Sequence, residues 1–300
     1  MPIYQVIVLA IVQGLAELLP VSSSAHVVVA EKLMGLDPSS PQMTLLLVML
    51  HTGTMFAVIA YFWRQWRQSY FATVDAFKRF ALRLIYATAL TGVLGEALIK
   101  LIEHTMFKSA PKAEIEDLFG RLELVAPALA CAGILILIAG LREKKQDAIQ
   151  PAAASLTRRP TDSVTMRQAG WMGLAQGLAL PFRGFSRSGA TISTGMLTGA
   201  SKQRAERFSF ALAVIITPFA IGREAHRLLQ ATHAAAASGS PVDLHGTVAM
   251  SLLGAVFAFL AGLLALKWLS NWLENGRWYW FGIYCLVASC VVFYLHTKGY

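Results

Sequence analysis

Two polar stretches interrupt a chain that is otherwise built for a membrane, and both begin with the same four residues. The first reads Gln13-Gly14-Leu15-Ala16-Glu17-Leu18-Leu19-Pro20-Val21-Ser22-Ser23-Ser24-Ala25-His26. The second reads Gln176-Gly177-Leu178-Ala179-Leu180-Pro181-Phe182-Arg183-Gly184-Phe185-Ser186-Arg187-Ser188-Gly189-Ala190-Thr191. Each opens on Gln-Gly-Leu-Ala, breaks at a proline and runs into clustered serines. Ionisable groups are expensive at membrane depth and mark functional sites. The same break made twice in one chain predicts a duplicated fold whose site lies where the halves meet.

The surrounding composition fixes the class. Of 300 residues, 56% are hydrophobic and 14% charged, against roughly 25% charged in a soluble domain. Mean hydropathy is +0.54. Apolar segments recur near the ~20-residue length of a membrane-crossing helix. The expected architecture is all-α and polytopic. Segments 43–63, 121–141, 246–268 and 278–296 read as clean spans, and 79–103 and 204–222 as two more with a few polar residues. Segments 3–19 and 168–182 are short, and each ends at a proline beside polar residues; 26–36 and 189–199 follow them. Half-helix, break, half-helix is the pattern of a re-entrant hairpin, tolerated at membrane depth only when buried in protein or facing a wet cavity.

Charge sets the orientation. The net charge of +9 belongs to cytoplasmic loops under the positive-inside rule, so no nucleic acid need be invoked. Loop 64–78 and its flank carry Arg64, Arg67, Lys78, Arg79 and Arg83 against Asp75; loop 142–167 carries Arg142, Lys144, Lys145, Arg158, Arg159 and Arg167 against Glu143, Asp147 and Asp162. Both read as cytoplasmic. Segment 103–121, with four acids against three bases, reads as external. Counting spans from there, the first hairpin enters from outside and the second from the cytoplasm. The expected organisation is one membrane domain over 1–300: repeat one 1–145, cytoplasmic linker 146–165, and an inverted repeat two 166–300. The N-terminus lacks the basic region of a removable signal peptide. Cys131, Cys285 and Cys290 lie in apolar segments and read as buried thiols outside any disulfide or metal framework.

The first hairpin carries acid–base chemistry. Gln13 and Glu17 are one helical turn apart and share a face. Pro20 ends the half-helix. Ser22, Ser23 and Ser24 are natural N-caps for the run that follows, whose start offers backbone N–H groups to an anion. A carboxylate repels phosphate but suits a divalent metal or acid–base work. His26 suits a general base, a general acid or a nucleophile. The second hairpin carries positive charge. Arg183 and Arg187 present forks that match phosphate oxygens, and Ser186, Ser188 and Thr191 add hydroxyls. Gly184 and Gly189 permit close backbone approach. Elsewhere, His51, Thr52 and Thr54 lie mid-span, lining a cavity or bonding between helices. Glu96 and Lys100 pair along one helix face. Arg204, Glu206 and Arg207 read as a cap at the cytoplasmic face, and Trp278-Tyr279-Trp280-Phe281 as an interfacial aromatic belt.

These residues resemble the bacterial undecaprenyl-diphosphate phosphatases, membrane enzymes linked to bacitracin resistance, over nearly the whole chain. The family's Glu/Gln-x-x-x-Glu and Pro-x-Ser-Ser motif is matched by Gln13, Glu17, Pro20, Ser22 and Ser23, with the downstream histidine at His26. Its Gly-x-Ser-Arg-Ser-x-x-Thr run is matched by Gly184, Ser186, Arg187, Ser188 and Thr191, and the span from His51-Thr52-Gly53 to Phe62-Trp63-Arg64 is similar as well. The resemblance implies removal of the terminal phosphate from a C55 isoprenyl diphosphate in the bacterial inner membrane, and the external entry of the first hairpin puts the expected site on the extracytoplasmic side. It implies a Mg or Ca ion held by Glu17 with Gln13, and Arg187 clamping the diphosphate. Ser23 or His26 would be the nucleophile and the other its helper. Gln13, Ser22, Ser24, Ser186, Ser188, Gly189 and Thr191 would bind substrate. The partners expected are the polyprenyl diphosphate lipid, the bilayer and, as the one protein partner to test, a second copy in a homodimer.

Two departures stand out: Gln13 where glutamate is more common, and Arg183 where the family places proline before Gly184. A competing expectation is a transporter or flippase for lipid phosphates, since inverted repeats and broken helices also build transporters.

Overall fold

A computed structural model of the chain describes residues 1–37, 40–106, 121–149, 163–237 and 244–299. Every regular element among the described residues is an α-helix. They are α1 (Ile3–Leu18), α2 (Ser23–Leu33), α3 (Pro41–Ser69), α4 (Val74–Met106), α5 (Leu122–Ile149), α6 (Met166–Ala179), α7 (Arg187–Leu197), α8 (Lys202–Ala237), α9 (Leu244–Glu274) and α10 (Trp278–Thr297). Five helical stretches are long and apolar enough to cross a membrane: Gln42–Ser69, Val74–Thr105, Leu122–Lys145, Gly246–Glu274 and Trp278–Thr297. The chain is a multi-pass membrane protein. The segment expected as a sixth span, 204–222, falls inside α8, which carries Pro218 and is not one of those five. Both helix–break–helix units form, with α1 packed on α2 and α6 packed on α7.

Most of the expected linker, 150–162 with Arg158 and Arg159, lies outside the described residues, as does 107–120 of the acidic segment. Residues 146–149 continue α5, and Thr165 opens α6. The helices sort into two compact units: Met1–Leu19, Ser23–Tyr61 and Ala213–Trp268 form one, and Pro20–Ser22, Phe62–Leu212 and Leu269–Tyr300 the other.

In the first unit, Val6, Leu9 and Ala10 of α1 pack with Val27, Met43, Leu46, Leu50 and Ala258. Small residues set the helix spacing. A Cβ on Gly14 would lie 2.7 Å from the Ala258 carbonyl oxygen, and one on Gly53 would lie 2.2 Å from that of Ala255. Lipid tails are as apolar as leucine, so helices in a bilayer gain by close backbone approach. Along α9, Gly254 meets Val6 and Leu46, while Gly262 meets Leu18 and Ala57. Helices α1 and α3 therefore both run parallel to α9.

In the second unit, α6 lies along α4 on a glycine stripe. Gly170 meets Tyr86, Gly173 meets Ala87 and Gly177 meets Thr91, so the two helices run parallel. Helices α5 and α10 are antiparallel: Gly140 sits against Tyr279 and Gly133 against Cys285, and the Ser289 hydroxyl donates to the Ala126 carbonyl at 2.7 Å. At the start of α8, Glu206 is buried and accepts from Ser270 at 2.6 Å, while Arg207 donates to Ser69 at 3.0 Å. Glu206 is thus inside the protein instead of at its face. Only Cys285 of the three cysteines is buried. Cys131 and Cys290 lie on outward faces of the α5–α10 pair, because the sequence shows that a residue is apolar but not which side of its helix meets the neighbour. Glu96 and Lys100 pair as expected, at 3.5 Å.

The glycine stripe yields a test. A side chain at Gly173 would meet the Ala87 carbonyl oxygen at 2.4 Å, whereas nothing lies within 4 Å of a Cβ on Gly92. Gly173→Leu is expected to destabilise the protein in detergent by about 2 kcal/mol or more through forced separation of α4 and α6. Gly92→Ala should leave the melting temperature unchanged or raise it. Thermal unfolding of both variants in one detergent checks the pair.

Candidate functional site

The first hairpin is shaped by its proline. A residue before proline is pushed out of the helical region, and Leu19 is extended, with φ −75° and ψ 152°. Its N–H still bonds back to the Leu15 carbonyl at 3.1 Å. Ser22 then takes φ +67°, the one non-glycine residue with positive φ among those described. Left-handed backbone costs roughly 1–3 kcal/mol for such a residue and persists only where the surroundings impose it, often at functional sites. Ser23 is the first helical residue of α2, not a cap before it.

Around that turn the side chains converge on Glu17. The Ser23 hydroxyl donates to Glu17 Oε2 at 2.5 Å, and Gln13 Nε2 donates to the same oxygen at 3.1 Å. His51 of α3 brings Nε2 to 3.9 Å from it. The other ring nitrogen, Nδ1, donates to the Leu47 carbonyl at 2.8 Å, which orients the ring with Nε2 toward the carboxylate. Gln13 is 1% exposed, so its amide holds the carboxylate from inside the protein. His26 is half-buried in the first turn of α2, three residues after Ser23 and on the same face of that helix. Ser22 is buried and Ser24 half-buried beside it. His51 is a member of this group that its position alone did not single out: a mid-span histidine has several explanations, and only the packing of α3 chooses one.

No group of three His, Cys, Asp or Glu residues is gathered for a metal among the described residues. The oxygen donors at the turn, the Glu17 carboxylate with the Gln13 amide and the Ser23 hydroxyl, nonetheless fit Mg or Ca. Both are hard cations that take oxygen ligands, and Mg commonly uses one or two carboxylates plus substrate phosphates and water.

The second hairpin is built differently. Thr165 and Gln168 form a reciprocal capping box at the start of α6. Gln176, the counterpart of Gln13, is buried and donates to Thr91 of α4 at 3.4 Å. Leu180 stands where Glu17 stands in the first hairpin. After Pro181 the chain turns through Gly184 at φ +109°. A Cβ there would lie 2.4 Å from the Val125 carbonyl oxygen, and one on Gly189 would lie 2.7 Å from Ile136 Cδ1. The close approach these glycines permit is to α5. Ser186 caps α7 by accepting from the Gly189 N–H at 3.2 Å. Arg187 is the first residue of α7 and half-buried, at the positive end of that helix. Ser188 and Thr191 are buried, and the Thr191 hydroxyl pairs with Ser209 of α8 at 2.5 Å.

Trp278 departs from the belt expected of it. It is wholly buried, and its indole N–H donates to Ser193 of α7 at 2.9 Å, whereas Trp280 is exposed. The sequence places both at a membrane edge; the register of α10 against α7 draws one inward.

A family profile described as Bacitracin resistance protein BacA matches residues 6–291. The chain belongs to this family. Among its curated relatives is an undecaprenyl-diphosphatase 2 of Acinetobacter baylyi, 54% identical over 292 residues, covering 97% of each chain. An undecaprenyl-diphosphatase 2 of Burkholderia thailandensis is 33% identical over 296 residues, covering 96% of this chain and 95% of that protein. An undecaprenyl-diphosphatase 1 of Burkholderia pseudomallei is 33% identical over 300 residues with the same coverage.

In this BacA-family chain the indole–hydroxyl bond between α10 and α7 can be tested directly. Trp278→Phe keeps the ring and loses the N–H; it should cost about 1 kcal/mol, the net worth of one such hydrogen bond. Trp278→Ala should cost about 3–5 kcal/mol through the void it leaves. Denaturant or thermal unfolding in detergent separates the two effects.

Proposed function

We propose that this protein hydrolyses undecaprenyl diphosphate to undecaprenyl phosphate and inorganic phosphate, returning the C55 carrier lipid to peptidoglycan synthesis and so conferring bacitracin resistance. The names of its relatives support the substrate. One observation carries the chemistry: the Ser23 hydroxyl donates to the Glu17 carboxylate at 2.5 Å. A serine is a weak nucleophile until a neighbouring base takes its proton. Glu17 is in place to do that, and Gln13 holds it there.

In this scheme Ser23 Oγ attacks the terminal phosphorus and gives its proton to Glu17. The bond from that phosphorus to the bridging oxygen breaks, and its electron pair leaves on undecaprenyl phosphate. Water then attacks the phosphoserine, the Ser–O–P bond breaks, and inorganic phosphate departs as Ser23 regains a proton. His26, one turn along α2, serves the proton transfers. Arg187 neutralises charge on the phosphoryl oxygens with its fork, aided by the start of α7. Ser186, Ser188, Gly189 and Thr191 shape that turn, and Ser22 and Ser24 flank the nucleophile. Glu17 and Gln13 would hold a divalent Mg or Ca ion, which supplies charge neutralisation at the diphosphate when bound.

The membrane arrangement is part of the proposal. Helices α1–α2 and α6–α7 are re-entrant hairpins of an inverted repeat, with α8 as a sixth crossing. Within its own unit α1 runs parallel to α3, and α6 runs parallel to α4. Span counting from the loop charges supports hairpins that enter from opposite faces. Loop charges assign the first to the extracytoplasmic side of the inner membrane. A flippase or transporter draws no support from the named relatives.

Phosphate release from undecaprenyl diphosphate by the detergent-purified protein tests the proposal. Activity should require Mg or Ca. Glu17→Ala and Arg187→Ala should each lower kcat by about a hundredfold or more. Ser23→Ala should abolish turnover, while His26→Ala keeps a residue of it; the reverse result would make His26 the nucleophile. Gln13→Glu should lower the divalent cation concentration that gives half-maximal rate, because it adds an anionic oxygen ligand. Lipid movement across liposomes with no phosphate released would overturn the assignment.

A further inference from the structure

The α5–α10 pair touches both turns, and one buried thiol makes the link to the first. Cys285 of α10 is wholly buried, and its Sγ donates to the carbonyl oxygen of Pro20 at 3.3 Å. Pro20–Ser22 belongs to the same compact unit as α5, α7 and α10. The carbonyl it holds is that of the residue which breaks the first hairpin, two positions before the left-handed Ser22. Pro20 stands three residues from Glu17 and three from Ser23. The thiol therefore grips the middle of the turn that separates the proposed base from the proposed nucleophile.

The position of that grip along α5 adds a second observation. Gly133 of α5 faces Cys285: a Cβ on Gly133 would lie 3.0 Å from Cys285 Cβ. Gly184 meets α5 at Val125 and Gly189 meets it at Ile136. Arg187 sits between those two glycines. The level at which Cys285 holds Pro20 thus falls inside the stretch of α5 that seats the Arg187 turn, about 16 Å of helix at 1.5 Å per residue. Helix α10 reaches the second hairpin as well, through Trp278 and Ser193. The α5–α10 pair is a common beam that carries both turns, spaced by Gly133 and Gly282, where a Cβ on Gly282 would lie 2.7 Å from the Leu137 backbone nitrogen.

We propose that Cys285 is a positioning residue for the hydrolysis: its S–H bond to the Pro20 carbonyl fixes the turn that links Glu17 to Ser23. It touches neither substrate nor metal. A sulfhydryl is a weak donor, but it is small, and Pro20 and Cys285 are both buried, where a carbonyl left without a partner costs free energy. The proposal rests on the phosphatase assignment above. It also gives Cys285 a part that Cys131 and Cys290, both exposed, do not share.

The test is a comparison of Cys285→Ala, Cys285→Ser and Cys290→Ala by phosphate release from undecaprenyl diphosphate, expressed per folded enzyme. Cys285→Ala is expected to lower kcat about tenfold, in line with the cost of small misplacements of reacting groups, with KM changed less than about twofold. Cys285→Ser keeps a donor of similar size and should restore kcat to within about twofold. Cys290→Ala should match the wild type. If Cys285→Ala does not fold, Cys285→Val, which fills the site without a donor, carries the same expectation. Wild-type kcat in the donor-free variant, or failure of serine to restore it, overturns the positioning role while leaving the phosphatase assignment intact. A wild-type protein that releases no phosphate overturns both.

Discussion

A helix broken inside a membrane exposes backbone groups that lipid cannot satisfy, and this constraint organises the structure. Each break here is met by protein. In the first hairpin the Leu19 N–H turns back to Leu15 and the Pro20 carbonyl takes the Cys285 thiol. In the second, Ser186 accepts from the Gly189 N–H, and the Phe185 N–H bonds to the Phe182 carbonyl at 3.0 Å. Because neighbouring helices must come close enough to supply these partners, α5, α6, α9 and α10 carry glycine or alanine where they pack. The cost of breaking two helices is thereby converted into two turns held in fixed geometry.

The two hairpins open on the same four residues but differ in chemistry. Gln13 and Gln176 occupy equivalent places, yet Gln13 holds a carboxylate and Gln176 bonds to Thr91 of the neighbouring span. Glu17 has Leu180 as its counterpart. One hairpin thus carries Gln13, Glu17 and Ser23, and the other carries Arg183 and Arg187.

Much of this was legible in the residues. The apolar lengths placed α1, α2, α6, α7 and α10 within about three residues of their observed bounds, while α3, α4, α5 and α9 run further than the apolar segments that announced them, because the hydrophobic requirement of a span fixes its apolar part and not its polar ends. The pairing of Gln13 with Glu17 followed from helical spacing. Segment 204–222 was harder: it is the front of the 36-residue α8, whose polar residues and Pro218 weaken the apolar signal. His51, Trp278 and Glu206 were visible as unusual residues, but their partners were not. His51 meets Glu17, Trp278 meets Ser193 and Glu206 meets Ser270, and each partner lies on a different helix far along the chain.

The sequence by itself determined that the chain is helical, that it crosses a membrane, that it breaks at two prolines, and which polar groups stand at each break. Those features depend on local spacing and on transfer from water to lipid, which every residue carries with it. Only the tertiary structure decided that Ser23 turns its hydroxyl to Glu17 instead of capping α2, that Gly184 and Gly189 are spent on α5, and that Cys285 alone of the three thiols points inward. Which face of a helix meets its neighbour depends on the packing of helices distant in sequence, and local periodicity in an evenly apolar chain does not encode it.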